Sequence, residues 1–191
     1  MGSFFKKNRS SILFIAVLAL LFIPQTGMPI RIFINKLIAW SPSELASEKQ
    51  IQLETFNWPL ETRTGEATNL NTSEGKVVLI NFWATWCPPC VAEMPSLQSL
   101  YDAYGTQVDF YFVTTDEDER VEQFMNKKGY DFPVQYIKYR EPSALSTSSL
   151  PTTYVISKEG KIVMEKTGAA NWDSKSVHAT LDRLLGTPFK P

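Results

Sequence analysis

Cys87 and Cys90 are the only thiols in the chain, and two residues separate them in the run Trp86-Cys87-Pro88-Pro89-Cys90. A pair spaced in this way suits two-electron exchange with another disulfide: one thiolate attacks, and its neighbour a helical turn away resolves the mixed disulfide. Two competing chemistries fit less well. A closed structural zinc site needs four Cys or His ligands, and the single histidine, His178, lies far downstream; no metal is expected. A purely structural bridge between such near neighbours closes almost no loop, so it constrains the unfolded chain little.

The elements around the pair support redox chemistry. Lys76 to Trp83 is an almost continuously apolar run, as in a strand buried on both faces of a sheet, and it leads directly into the cysteines. After them, Val91 to Tyr101 has helical spacing, with Leu97, Leu100, Tyr101 and Tyr104 on one face. Cys87 is therefore expected where a strand ends and a helix begins, its sulfur near unpaired backbone N–H groups and the positive end of the helix dipole, both of which favour the thiolate. Pro88 and Pro89 suit a first helical turn, where a missing N–H costs nothing. Pro95 lies inside the helix pattern and predicts a kink.

The run Gly75 to Cys90, followed by Glu93-Met94-Pro95 and later by Leu150-Pro151-Thr152-Thr153-Tyr154-Val155-Ile156, resembles the membrane-anchored thioredoxin-like proteins of the TlpA/ResA group. The resemblance spans roughly residues 50 to 187. It implies an α/β thioredoxin-like fold, a central mixed sheet flanked by helices with extra amino-terminal strands, and a thiol-disulfide oxidoreductase of the protein-disulfide reductase type. It makes Cys87 the attacking cysteine, the more exposed and more acidic thiol, and Cys90 the buried resolving one. It makes Pro151 a cis-proline lying against the disulfide, with the Leu150 backbone pairing with an extended substrate segment. Trp86, Pro88, Pro89, Leu150, Pro151 and Thr152 are the expected substrate-binding residues, and no cofactor is expected beyond the redox-active disulfide. In the ResA-like branch a glutamate at the place of Glu93 affects the thiols. Thioredoxin itself has a buried aspartate where Asn81 stands, so Glu93 is the nearest candidate proton acceptor here. Trp83 is read as packing and Trp86 as flanking Cys87. Members of the group usually place glycine where this chain has Ser149, which leaves the loop around Leu150 less defined.

With 191 residues, 43% of them hydrophobic, the chain suits one domain plus a tail. The tail is amino-terminal: Lys6, Lys7 and Arg9 precede an uncharged stretch from Ser10 to Ile30, apolar throughout from Ile12 to Ile23. About twenty residues of helix span a bilayer, so the expected organisation is a cytoplasmic terminus (1–9), an uncleaved transmembrane anchor (10–30), an interfacial segment and linker (31–50) and the thioredoxin-like domain (51–191). A cleaved signal peptide is the alternative, since Pro24, Gln25, Gly27 and Pro29 dilute the second half of the stretch. Positive charge before the span places the domain on the periplasmic or extracytoplasmic side of the cytoplasmic membrane as a single-pass protein. Without Lys6, Lys7 and Arg9 the formal net charge of -1 becomes -4, and no basic patch argues for nucleic acid. The partners implied are proteins bearing disulfides or thiols, with apocytochrome c among the candidates, and a membrane electron donor of the thiol-disulfide type.

Further along, Ser41 to Gln50 reads as a polar, helix-prone linker and Ile51 to Asn71 as extra strands with a turn at Thr64-Gly65. Val108 to Thr114 reads as a central strand, Glu117 to Lys128 as a helix ending at Gly129, Thr152–Ser157 and Lys161–Lys166 as a hairpin, and Asp173 to Leu185 as a closing helix carrying a solvated His178. The acidic run Asp116 to Glu119 reads as a helix start stabilised by the dipole. Three rivals share the cysteines. An oxidant or isomerase differs only in reduction potential. A peroxidase would place threonine where Ala84 stands, and a copper-delivery protein would want a histidine near its cysteines.

Overall fold

Apolar residues on both sides of a strand demand cover on both faces, and the run ahead of the cysteines obtains it at the middle of a mixed sheet. The structure, a computed structural model, describes residues 28, 30–35 and 39–187. Its strands are β1 (Ile51–Gln52), β2 (Pro59–Thr62), β3 (Ala67–Asn69), β4 (Val77–Phe82), β5 (Val108–Thr114), β6 (Val134–Ile137), β7 (Thr152–Ile156) and β8 (Lys161–Thr167). They form one sheet in the order β1-β8-β7-β4-β5-β6-β2-β3. The pairs β4–β5 and β5–β6 are parallel and the rest antiparallel. Helices α1 (Pro88–Tyr104), α2 (Asp118–Lys128) and α3 (Lys175–Leu185) accompany the sheet, and the described residues 30–35 are helical as well.

Alternation along β4 divides the core. Val77 and Leu79 join the cluster that holds Met94, Leu97 and Leu100 of α1, Val121 and Met125 of α2, and Val177 and Leu181 of α3. Val78, Ile80 and Phe82 face the other way. Parallel strands laid down in one direction with right-handed crossovers send both connecting helices to the same side, so the far side is closed by irregular chain instead: Leu53, Trp58, and the 3-10 turns that carry Leu70 and Leu145.

Most expected elements lie within a residue or two of their places, and α1 runs through Pro95 as a single helix. The linker differs. Residues 41–46 form no regular element, and only Ser47–Lys49 makes a 3-10 turn. The backbone bond from Leu45 N–H to Val163 O holds this segment against β8, and Ser176 Oγ of α3 donates to Pro42 O. The amino-terminal strands separate as well: β1 pairs with β8 at one edge of the sheet, whereas the β2–β3 hairpin, turning at Arg63 to Gly65, pairs with β6 at the other. Among the described residues no helix is long and apolar enough to cross a membrane; the expected anchor at 10–30 lies almost wholly outside them.

Candidate active site

Cys87 and Cys90 are joined by a disulfide at the carboxyl end of β4. Cys87 is the N-cap residue of α1, with Pro88 and Pro89 in the first turn, and its Sγ accepts the Cys90 N–H at 3.3 Å. Cys87 is 4% exposed and Cys90 is fully buried, so an incoming group meets Cys87 first. Antiparallel pairing brings a second segment to the same end of the sheet. Phe82 pairs with Thr152, which sets Leu150 and Pro151 just beyond the end of β4, and the Leu150–Pro151 bond is cis. Thr152 is buried and its hydroxyl donates to Ser149 O at 2.8 Å, while Thr147 Oγ1 donates to Thr152 Oγ1 at 2.8 Å. The loop is thus tied by the Thr147 and Thr152 hydroxyls, which meet Ser149 only at its backbone.

Glu93 is 1% exposed, one turn beyond Cys90 on the same face of α1. Its Oε1 accepts from Asn81 Nδ2 at 2.9 Å; its Oε2 accepts from Ala170 N at 3.1 Å and from Trp172 Nε1 at 3.0 Å. Burial outweighs these three donors and pushes the carboxyl up to about 7. Asn81 Nδ2 also donates to Thr153 Oγ1 at 2.7 Å, while Asn81 Oδ1 is buried without a partner.

Two residues escaped the sequence reading. Asp116, placed there in a helix start, instead lies beyond the end of β5 and binds the loop before the cysteines. Its Oδ2 accepts from Thr85 N and Thr85 Oγ1, both at 2.7 Å, and its Oδ1 from Trp86 Nε1 at 3.0 Å. This fastens the Trp86 ring, which is 57% exposed beside Cys87. The signal available was position: the carboxyl end of the strand next to β4 is where α/β sheets gather their sites. Trp172, in the loop before α3, gave no such signal. Trp83 is 1% exposed and packs on Phe124 and Phe132. His178, expected in solvent, is only 28% exposed: its Nε2 meets Asp173 at 2.7 Å and its ring packs edge-on against Tyr104. Tyr104 ends α1, about 25 Å along the helix from Cys87. Among the described residues no cluster of three or more His, Cys, Asp or Glu side chains could hold a metal ion.

The Redoxin family profile matches residues 48–182. The chain belongs to the Redoxin family. Its similarity to relatives is more specific. Thiol-disulfide oxidoreductase ResA of Oceanobacillus iheyensis is 36% identical over 181 residues, covering 93% of this chain and 84% of that protein. Its counterpart in Halalkalibacterium halodurans is 39% identical over 118 residues, covering 60% and 67%. Among solved structures, a secreted thiol-disulfide isomerase from Corynebacterium glutamicum superposes with a TM-score of 0.59 at 24% identity, over 75% of this chain and 90% of that one; this likeness speaks to the thioredoxin-like fold alone. This Redoxin member is a thiol-disulfide oxidoreductase of the ResA type.

Proposed function

We propose that the chain reduces disulfides of extracytoplasmic proteins, including those of apocytochrome c, from a domain held at the membrane by residues 10–30. The observation that carries this reading is the Cys87–Cys90 bridge at the start of α1, with Cys87 outermost and Leu150-Pro151 beside it. In the reduced protein the Cys87 thiolate attacks one sulfur of the substrate disulfide. A Cys87–substrate disulfide forms, and the first substrate thiolate leaves and takes a proton from water. Cys90 gives its proton to the Glu93 carboxylate and attacks Cys87 Sγ. The second substrate thiolate leaves, two electrons have passed to the substrate, and Cys87–Cys90 is oxidised. A membrane donor of the thiol-disulfide type returns the two electrons. Trp86, Pro88, Pro89, Leu150, Pro151 and Thr152 form the substrate contact.

The reducing direction rests on resemblance to the ResA group and on a physical argument. A carboxylate one turn from Cys90 opposes thiolate formation, and a couple whose reduced form is poorly stabilised is a better reductant. The deciding experiment equilibrates the full chain, in detergent, with dithiothreitol or glutathione buffers and traps thiols by alkylation. A reduction potential near or below about -240 mV is expected, while a value above about -180 mV would make the protein an oxidant or isomerase instead.

A further inference from the structure

The Glu93 carboxylate is met from three sides, and each contact is an N–H donor: Asn81 from β4, and Ala170 and Trp172 from the segment after β8. Thr153 of β7 stands behind Asn81, and the cysteines lie on Glu93's own helix. Among the described residues no ion pair reaches it. Its charge is therefore balanced by hydrogen bonds and not by a cation.

The two side-chain donors differ in what they can do when Glu93 gains a proton. A neutral carboxyl needs an acceptor for its O–H, and Asn81 can supply one. Its Oδ1 is buried and unpartnered, a turn of the amide would present it to Glu93, and the Thr153 hydroxyl can donate as readily as accept. Trp172 has no such freedom. An indole N–H only donates, and the residue is fixed in place. Its backbone N–H donates to Ser96 Oγ at 3.1 Å, Ser96 Oγ donates to Glu93 O at 2.8 Å, and the ring is fully buried. Asn81 can change from donor to acceptor when Glu93 gains a proton, whereas Trp172 only donates, and it does so more strongly to the carboxylate than to the carbonyl oxygen of the neutral acid.

We propose that Trp172 is a positioning residue for the dithiol exchange: its indole N–H, fixed on Glu93 Oε2, sets the pH at which Glu93 exchanges a proton with the cysteine pair. This rests on the reading of Glu93 as the proton acceptor. Trp172→Phe keeps the ring and deletes the donor. Losing one of three hydrogen bonds to a buried carboxylate moves its midpoint upward by about one pH unit.

The test uses the reduced full chain in detergent and follows two titrations: the Glu93 side-chain carboxyl by carbon-13 NMR, and the alkylation rate of the cysteines against pH. Trp172→Phe is expected to raise both midpoints together, and Glu93→Gln to remove that limb from the alkylation profile. If Glu93→Gln removes the limb and Trp172→Phe leaves both midpoints in place, the proposal fails and the role of Glu93 stands. If Glu93→Gln leaves the alkylation profile unchanged, the proton-acceptor reading fails and the proposal falls with it. The unmutated chain supplies a check that is independent of how the variant folds. The Trp172 indole N–H resonance is expected to titrate with the Glu93 midpoint, and a flat response across that range overturns the proposal.

Discussion

A carboxyl group buried without a cation makes stability depend on pH in a direction opposite to the usual carboxylate. Glu93 titrates near 4.5 when unfolded and is pushed up to about 7 in the fold. The folded protein therefore holds a proton that the unfolded chain has released, so its contribution is complete below about pH 4.5 and is lost as pH rises to about 7. The loss amounts to about 3 kcal/mol. Thermal unfolding of the oxidised chain should show Glu93→Gln gaining on the unmutated protein by this order between pH 5 and 8; parallel curves would refute the burial argument. Asp116 acts on a different part of the site. The proposed substrate contact at Trp86 predicts that Asp116→Ala, which frees the Trp86 indole and the Thr85 N–H, slows reduction of a protein disulfide about fivefold, the worth of one hydrogen bond. Reaction with dithiothreitol, too small to use Trp86, should change less than twofold. Equal losses with both reagents would mean that Asp116 supports the cysteines themselves. The two residues also show where sequence reading stops. The place of Glu93 one turn from Cys90 was legible from its helical spacing, and the resemblance to the ResA group drew attention to it. Asp116 and Trp172 reach the site across loops, and nothing in local spacing records which loops a sheet brings together.

At the scale of elements, glycine separates backbone demand from packing demand. Gly129 ends α2 with φ of 69°, in the left-handed region, and a Cβ there would meet nothing within 4 Å. Gly129→Ala should cost only the backbone conformation, about 1 kcal/mol. Gly160 turns the β7–β8 hairpin at φ of 79°, but its Cβ would lie 2.7 Å from Gln52 Nε2 and 3.1 Å from the Phe56 ring. Gln52 donates to Glu159 O and ties β1 to this hairpin. Gly160→Ala should therefore cost clearly more, with denaturant unfolding ranking the two; an equal cost would mean the β1 segment yields freely. The same distinction explains which elements were legible. β4 and β5 are nearly continuous apolar runs, and the second half of α1 buries Leu97, Leu100 and Tyr104 at helical spacing, so there sequence and packing agree. β1 is a two-residue strand at an edge with both residues exposed, and β6, which the sequence reading passed over, is four residues long. Their pairing depends on neighbours, and strands this short have no period to read.

At the scale of the molecule, the linker that would leave the anchor is fastened to the domain. Asn171 N–H donates to Trp40 O at 3.4 Å, Leu45 N–H to Val163 O at 2.8 Å and Ser176 Oγ to Pro42 O at 3.3 Å, and Arg183 pairs with Glu44 at 2.6 Å. With residues 40–45 held in this way, only residues 31–39 remain between the proposed anchor and the domain. Fully extended, they reach at most about 30 Å, less than the width of the domain's own eight strands at about 4.8 Å each. On the proposed anchor, a domain with so short a tether would stay at the membrane surface and would meet donors and substrates there. Two measurements follow from this arrangement, one on isolated membranes and one on intact cells. The full chain should remain with the membrane through alkaline carbonate washing, and deleting residues 1–30 should release it. After reduction, a membrane-impermeant maleimide added from outside, to spheroplasts where an outer membrane is present, should label Cys87. Labelling only after lysis would put the domain on the cytoplasmic side, where positive charge on both flanks of the stretch, Lys6, Lys7 and Arg9 before it and Arg31 and Lys36 after it, would have failed to set orientation. Release by carbonate would mean that the apolar stretch does not hold the chain in the bilayer, as expected if it were removed as a signal peptide.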